Sequence, residues 1–244
     1  FNARVWVICA SIIVIGSRIV AGLGPMQRNI LSGFGAGALV VGVYVLLFGP
    51  LLARLDLRSD LANADILKTY PIPGWRLVLG ELLAPTAILT GIIWLTLLAG
   101  VCAFQPSQNL PSWLAPSHRA TYASCIAALT PIVITLQLRI PNAAAIVFPA
   151  WFQTTRAVGG GIELIGQRLI FVFGQVLIIA LALVPAVATA GLLIFITQWL
   201  VGPALAVIFA TVVVVTVLIG EVWCALWWLG NRFEKFDLSS EQRP

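Results

Sequence analysis

From residue 169 to residue 220 the chain runs 52 positions without an Asp, Glu, Lys or Arg. As one α-helix this run would be about 78 Å long, against a bilayer core about 30 Å thick, so it has to fold back on itself. Gly202-Pro203 is the most economical turn within it. The reading is a fifth span at about 167–198, kinked or interrupted at Pro185, and a sixth at about 204–229.

Other charge-free stretches cover 29–53, 82–117 and 120–138. With an apolar run at the start, they place the first four spans at about 4–23, 34–53, 77–103 and 120–138. The expected fold is therefore all-α, a polytopic transmembrane bundle of about six helices forming one domain over 1–244. Composition excludes a soluble fold, because hydrophobic residues are 60% of the chain and charged residues only 9%. The formal charge of +5 then describes which membrane face the loops occupy, and a nucleic-acid partner is not expected.

Orientation follows from Lys and Arg. Placing 54–76 on the cytoplasmic side puts eleven basic residues there: Arg4, Arg54, Arg58, Lys68, Arg76, Arg139, Arg156, Arg168, Arg232, Lys235 and Arg243. Arg28 and Arg119 remain outside, and Arg18 falls within the first span. Both termini are then cytoplasmic. Trp75, Trp113, Trp151, Trp199, Trp227 and Trp228 fall near span ends, where amphipathic rings prefer to sit. Between the fourth and fifth spans, 140–152 is too short to cross, and reads as an interfacial element or an extension of the fourth helix. Gly159, Gly160 and Gly161 break the chain before a helix begins near Ile162.

Catalytic clusters are missing. His118 is the single histidine, in an outer loop with no carboxylate between Glu81 and Glu163, and HExxH, GxSxG and Walker A patterns are absent. Asp56, Asp60 and Asp65 lack the denser pattern of a metal-dependent phosphotransferase. Cys9, Cys102, Cys125 and Cys224 are scattered without a CxxC and read as buried thiols. No catalytic residue, metal or cofactor is expected. Charges at membrane depth are more informative: Arg18 near the middle of the first span, Glu221 inside the last, and Glu81 near the cytoplasmic headgroups are the candidates for intramembrane pairing.

Seven charges crowd into 54–76. There Leu57, Leu61, Ala64 and Leu67 recur at helical spacing, with Arg58, Asp60, Asn63 and Asp65 on the polar remainder. Tyr70-Pro71-Ile72-Pro73-Gly74 stops that helix, and Trp75-Arg76 restarts the chain before the third span. Mixed charge on a short surface helix suits a protein partner better than anionic lipid alone.

The stretch DLANADILKTYPIPGWRLVLGELLAP, 60–85, resembles the cytoplasmic segment between the second and third spans of type-2 ABC transporter permeases. Bacterial ABC exporter membrane proteins are the closer likeness, through IPNAAAIVFPAW at 140–151, GGGIELIGQRLI at 159–170 and WWLGNRFEKFDLSSE at 227–241. The resemblance implies a permease in the bacterial inner membrane, embedded in lipid, paired with a second half or a second copy, and coupled to a separate ABC ATPase subunit. It further implies a coupling helix at about 56–68. Asp56, Arg58, Asp60, Asn63, Asp65 and Lys68 would face the partner, and Pro71 and Pro73 would carry movement into the third span. Members of this kind are usually longer, so the resemblance further implies that the chain is the carboxy-terminal portion of such a protein. The few polar residues in the spans favour a lipid-like or hydrophobic exported compound. The alternative is a secondary transporter, or half of one, using Pro149, the 159–161 glycines, Pro185 and Arg18 at a discontinuous helix.

Overall fold

The computed structural model describes residues 22, 24–52, 72–103, 116–147 and 162–235, and their regular structure is entirely α-helical. In chain order the helices are α1 (Pro25–Leu52), α2 (Gly74–Ala103), α3 (Pro116–Val147), α4 (Ile162–Val201) and α5 (Pro203–Lys235). Each is long and apolar enough to cross a bilayer, which makes the chain a multi-pass membrane protein. The first expected span, 4–23, lies outside the described residues, as does the 56–68 segment.

Prolines set three of the starts. Pro25, Pro116 and Pro203 are the first residues of α1, α3 and α5, where a missing N–H costs nothing and the fixed φ already suits a helix. The hairpin between α4 and α5 turns at Gly202, whose φ of 82° is open to glycine but strained for an L side chain. Its N–H donates to the Gln198 carbonyl at 3.1 Å, and its own carbonyl accepts from Ala206 at 3.1 Å. One residue thus closes α4 and opens α5.

Two expectations about irregular segments resolve differently from each other. The 140–152 stretch is an extension of the preceding helix as far as Val147, with Pro131 and Pro141 both inside α3. α4 is continuous through Pro185, so the interruption considered there is not found.

A proline inside a helix leaves the carbonyl four residues earlier without its N–H partner. For Pro131 that carbonyl belongs to Ala127, and the Trp94 indole N–H of α2 donates to it at 3.0 Å. The Thr135 hydroxyl also donates back to the Pro131 carbonyl at 2.7 Å. In hydrocarbon, where no water can substitute, the Trp94 donor lets α3 keep Pro131.

α1 packs chiefly on α2, α4 chiefly on α5, and α3 touches both α2 and α5. Val78, Leu82, Leu89 and Ile93 of α2 recur at helical spacing and meet Ile134, Leu138 and Ile146 of α3 and Leu226, Leu229 and Phe233 of α5. A second cluster joins Leu136 of α3 to Ala186 of α4 and to Val214 and Leu218 of α5. Close approach of α1 to α2 depends on small residues: a Cβ at Gly42 would stand 2.6 Å from the Thr96 hydroxyl, and one at Gly49 2.8 Å from a Leu89 methyl. Outer faces of α1 and α4 are apolar and exposed, with Phe34, Phe173, Leu181, Phe195 and Trp199 pointing away from the bundle. That is how lipid-facing surfaces look.

The Trp94 contact yields a test. Trp94→Phe keeps an aromatic ring but strands the Ala127 carbonyl, with an expected loss of about 1–2 kcal/mol in unfolding free energy measured in mixed micelles. Pro131→Ala restores an N–H to the ladder, so adding it to Trp94→Phe should recover most of the loss.

Candidate functional site

Of the expected partner-coupling residues, Pro73 is the one described; Asp56, Arg58, Asp60, Asn63, Asp65, Lys68 and Pro71 lie outside the described residues, as does Arg18. Pro73 caps α2. Its carbonyl accepts from Arg76 N–H at 2.9 Å and from Leu77 N–H at 3.5 Å, so the first turn is tight. Proline has no side-chain acceptor for the orphaned N–H groups of that turn. The acceptor comes from the far end of the chain: Gly74 N–H donates to the Glu234 carboxylate at 2.7 Å. A carboxylate at a helix N-terminus also meets the positive end of the helix dipole.

That bond is reached because two glycines let the backbones touch. A Cβ on Gly74 would fall 2.6 Å from the Gly230 carbonyl oxygen, and one on Gly230 would fall 2.6 Å from Trp75 Cα and close to its amide nitrogen. Neither obstruction is the flexible end of a side chain, so neither position tolerates a larger residue without displacement of a helix. The rest of the contact is aromatic. Trp75 and Trp223 rings lie 5.4 Å apart at 56°, and with Leu226 and Trp227 they line a half-open crevice of only about 20 Å³, room for about one water or methyl group. The Arg76 guanidinium sits 5.1 Å above the Trp75 ring.

On α5 the participating residues are Trp223, Trp227, Gly230 and Glu234, spaced four, three and four, which is one continuous helical stripe. Two segments singled out in the sequence, 60–85 and 227–241, are therefore in contact at Gly74–Gly230. Sequence reasoning marked both and joined neither. The stripe spacing and the two glycines were the available signals.

Deeper in the bundle lies a second polar feature. Arg139 is 7% exposed, and one guanidinium nitrogen, Nη1, donates to the carbonyls of Glu221 at 2.9 Å and Val222 at 3.3 Å on α5. The Glu221 carboxylate is half-buried and attracts the same guanidinium electrostatically. Glu221 thus has a charged counterpart within the bundle, and it is Arg139, which charge counting had assigned to a loop. The expected fourth span ends at 138, whereas α3 continues through Arg139 and Pro141 to Val147. Near this tie, Asn142 donates its side-chain amide to the Leu138 carbonyl at 2.8 Å, and the Thr86 and Thr135 hydroxyls pair at 3.4 Å between α2 and α3. Glu81 is half-buried on α2, seven positions beyond Gly74.

Among the described residues no three His, Cys, Asp or Glu side chains gather as a metal site. The arrangement instead joins helices: α5 is held to α2 near its end and to α3 about two to four turns earlier. No family model, curated protein or solved structure matches the chain.

The Arg139 tie predicts an asymmetry between substitutions. Arg139→Glu sets a second acid beside Glu221 in a buried site, and should lower stability by about 3–5 kcal/mol. Arg139→Met loses the bonds but also the burial of a charge, so its effect in the same unfolding assay should be clearly smaller.

Proposed function

We propose that the chain is the membrane permease subunit of an ATP-driven ABC exporter, powered by a separate ATPase. The observation that carries the reading is the docking of the Pro73–Gly74–Trp75 turn onto the end of α5, because it gives the segment before α2 a rigid route into the bundle. A coupling element needs such a route: a push at the membrane surface has to move whole helices. The resemblance of 60–85 and 227–241 supports the same assignment.

In this proposal the 56–68 helix meets the ATPase on the cytoplasmic side, and the chain has six spans with both termini cytoplasmic in a bacterial inner membrane. Removing the buried Arg139 from the eleven cytoplasmic basic residues leaves ten against two, so the orientation argument survives the reassignment. A second half or second copy completes the path, and the apolar spans favour a lipid-like substrate.

Reversing charge at Asp60 and Asp65 should reduce co-purification of the ATPase while leaving membrane insertion intact, since charge pairs at partly desolvated interfaces commonly matter by about 2–5 kcal/mol. Pro71→Ala with Pro73→Ala should preserve binding and lower substrate-dependent ATP hydrolysis in liposomes. Unchanged binding and hydrolysis in all four substitutions would defeat the proposal.

A further inference from the structure

We infer that the first turn of α2 and the last three to four turns of α5 form a single mechanical unit, so that movement of the chain before Gly74 is delivered to α5 as directly as to α2. This goes beyond the transport proposal, and holds whatever moves that segment.

Covalent continuity alone would pass a displacement at Pro73 into α2 and no further. Three independent contacts add α5. The Glu234 carboxylate takes the N–H of Gly74, the first residue of α2, so rotation or withdrawal of that turn pulls on α5. Gly74 and Gly230 stand so close that neither backbone can advance without pushing the other. Trp75 lies against Trp223, nearly two turns before Gly230, which spreads the contact along α5 and resists a hinge at one residue. Pulling is carried by the hydrogen bond and pushing by the glycines.

α5 then has a second attachment. Arg139 holds Glu221 and Val222 to α3, on the bundle side of Trp223. A load entering at Glu234 therefore reaches α3 through α5, which adds a route to the direct packing of α2 on α3. Glu234 and Gly230 are positioning residues in this device.

The test uses the full chain in nanodiscs, with amide hydrogen exchange read by mass spectrometry. Pro73→Gly loosens the turn, and should raise exchange about fivefold or more both in residues 74–78 and in 226–234. With Glu234→Ala, or separately Gly230→Ala, as the background, adding Pro73→Gly should still raise exchange in 74–78 but leave 226–234 unchanged. Glu234→Gln keeps an oxygen acceptor and should restore most of the α5 response. If Gly230→Ala does not insert, the Glu234 pair carries the test. A response of α5 to Pro73→Gly that is absent in the parent chain, or equal with and without Glu234→Ala, would overturn the inference.

Discussion

Inside hydrocarbon every backbone amide and carbonyl must find its partner within the protein, and this requirement governs the bundle more than apolar attraction does. Lipid tails are as apolar as Leu, so packing Leu82 against Leu138 and Leu226 gains contact and shape fit with little of the water-driven benefit of a soluble core. Defects in the helical ladder are where helices acquire specific partners. Pro131 frees a carbonyl that the Trp94 indole answers, and that bond ties α2 to α3 at one defined position. The capping residue of α2, Pro73, has no side-chain acceptor, and a carboxylate 160 positions beyond Gly74 supplies one.

α5 is the common member of these arrangements. It contributes to both hydrophobic clusters, takes the Arg139 guanidinium on two carbonyls, and ends against the first turn of α2. Burying a guanidinium is expensive unless its donors are used, and Arg139 spends Nη1 on backbone oxygens that already belong to a helix while its buried Nε has no partner among the described residues, so the cost is offset only in part. Carbonyls have two lone pairs, so α5 accepts these bonds without giving up its own ladder. The result joins α3 and α5 at a place where no loop connects them.

The second to sixth expected spans were legible in the sequence because charge-free length is a local property, and each of them overlaps one of α1 to α5. Gly202 was legible for the same reason. Expected spans four and six stop at 138 and 229 while the helices run on, as the extension reading of 140–152 allows for α3; Arg139 is buried within α3, and α5 continues past Arg232 to Lys235. Charge counting has no means of separating an arginine that leaves the membrane from one that finds carbonyls inside it. The contact of Gly74 with Gly230 was not legible, because pairing between distant segments is a property of the packed bundle. The Trp223, Trp227, Gly230, Glu234 stripe announces a face without naming what it meets.

α4 sits at the edge of the bundle with most of its circumference bare. Its uncharged portion from 169 to 201 is 33 residues, or about 50 Å of straight helix, beside hydrocarbon about 30 Å thick. Full immersion of a straight rod would require a lean of roughly 50°, beyond the roughly 0–40° found for spanning helices. Hydrophobic mismatch is therefore built into this edge: either the bilayer thickens locally against α4, or apolar side chains such as Trp199 and Leu200 emerge into the headgroups. A thick membrane would accommodate this edge at less cost than a thin one.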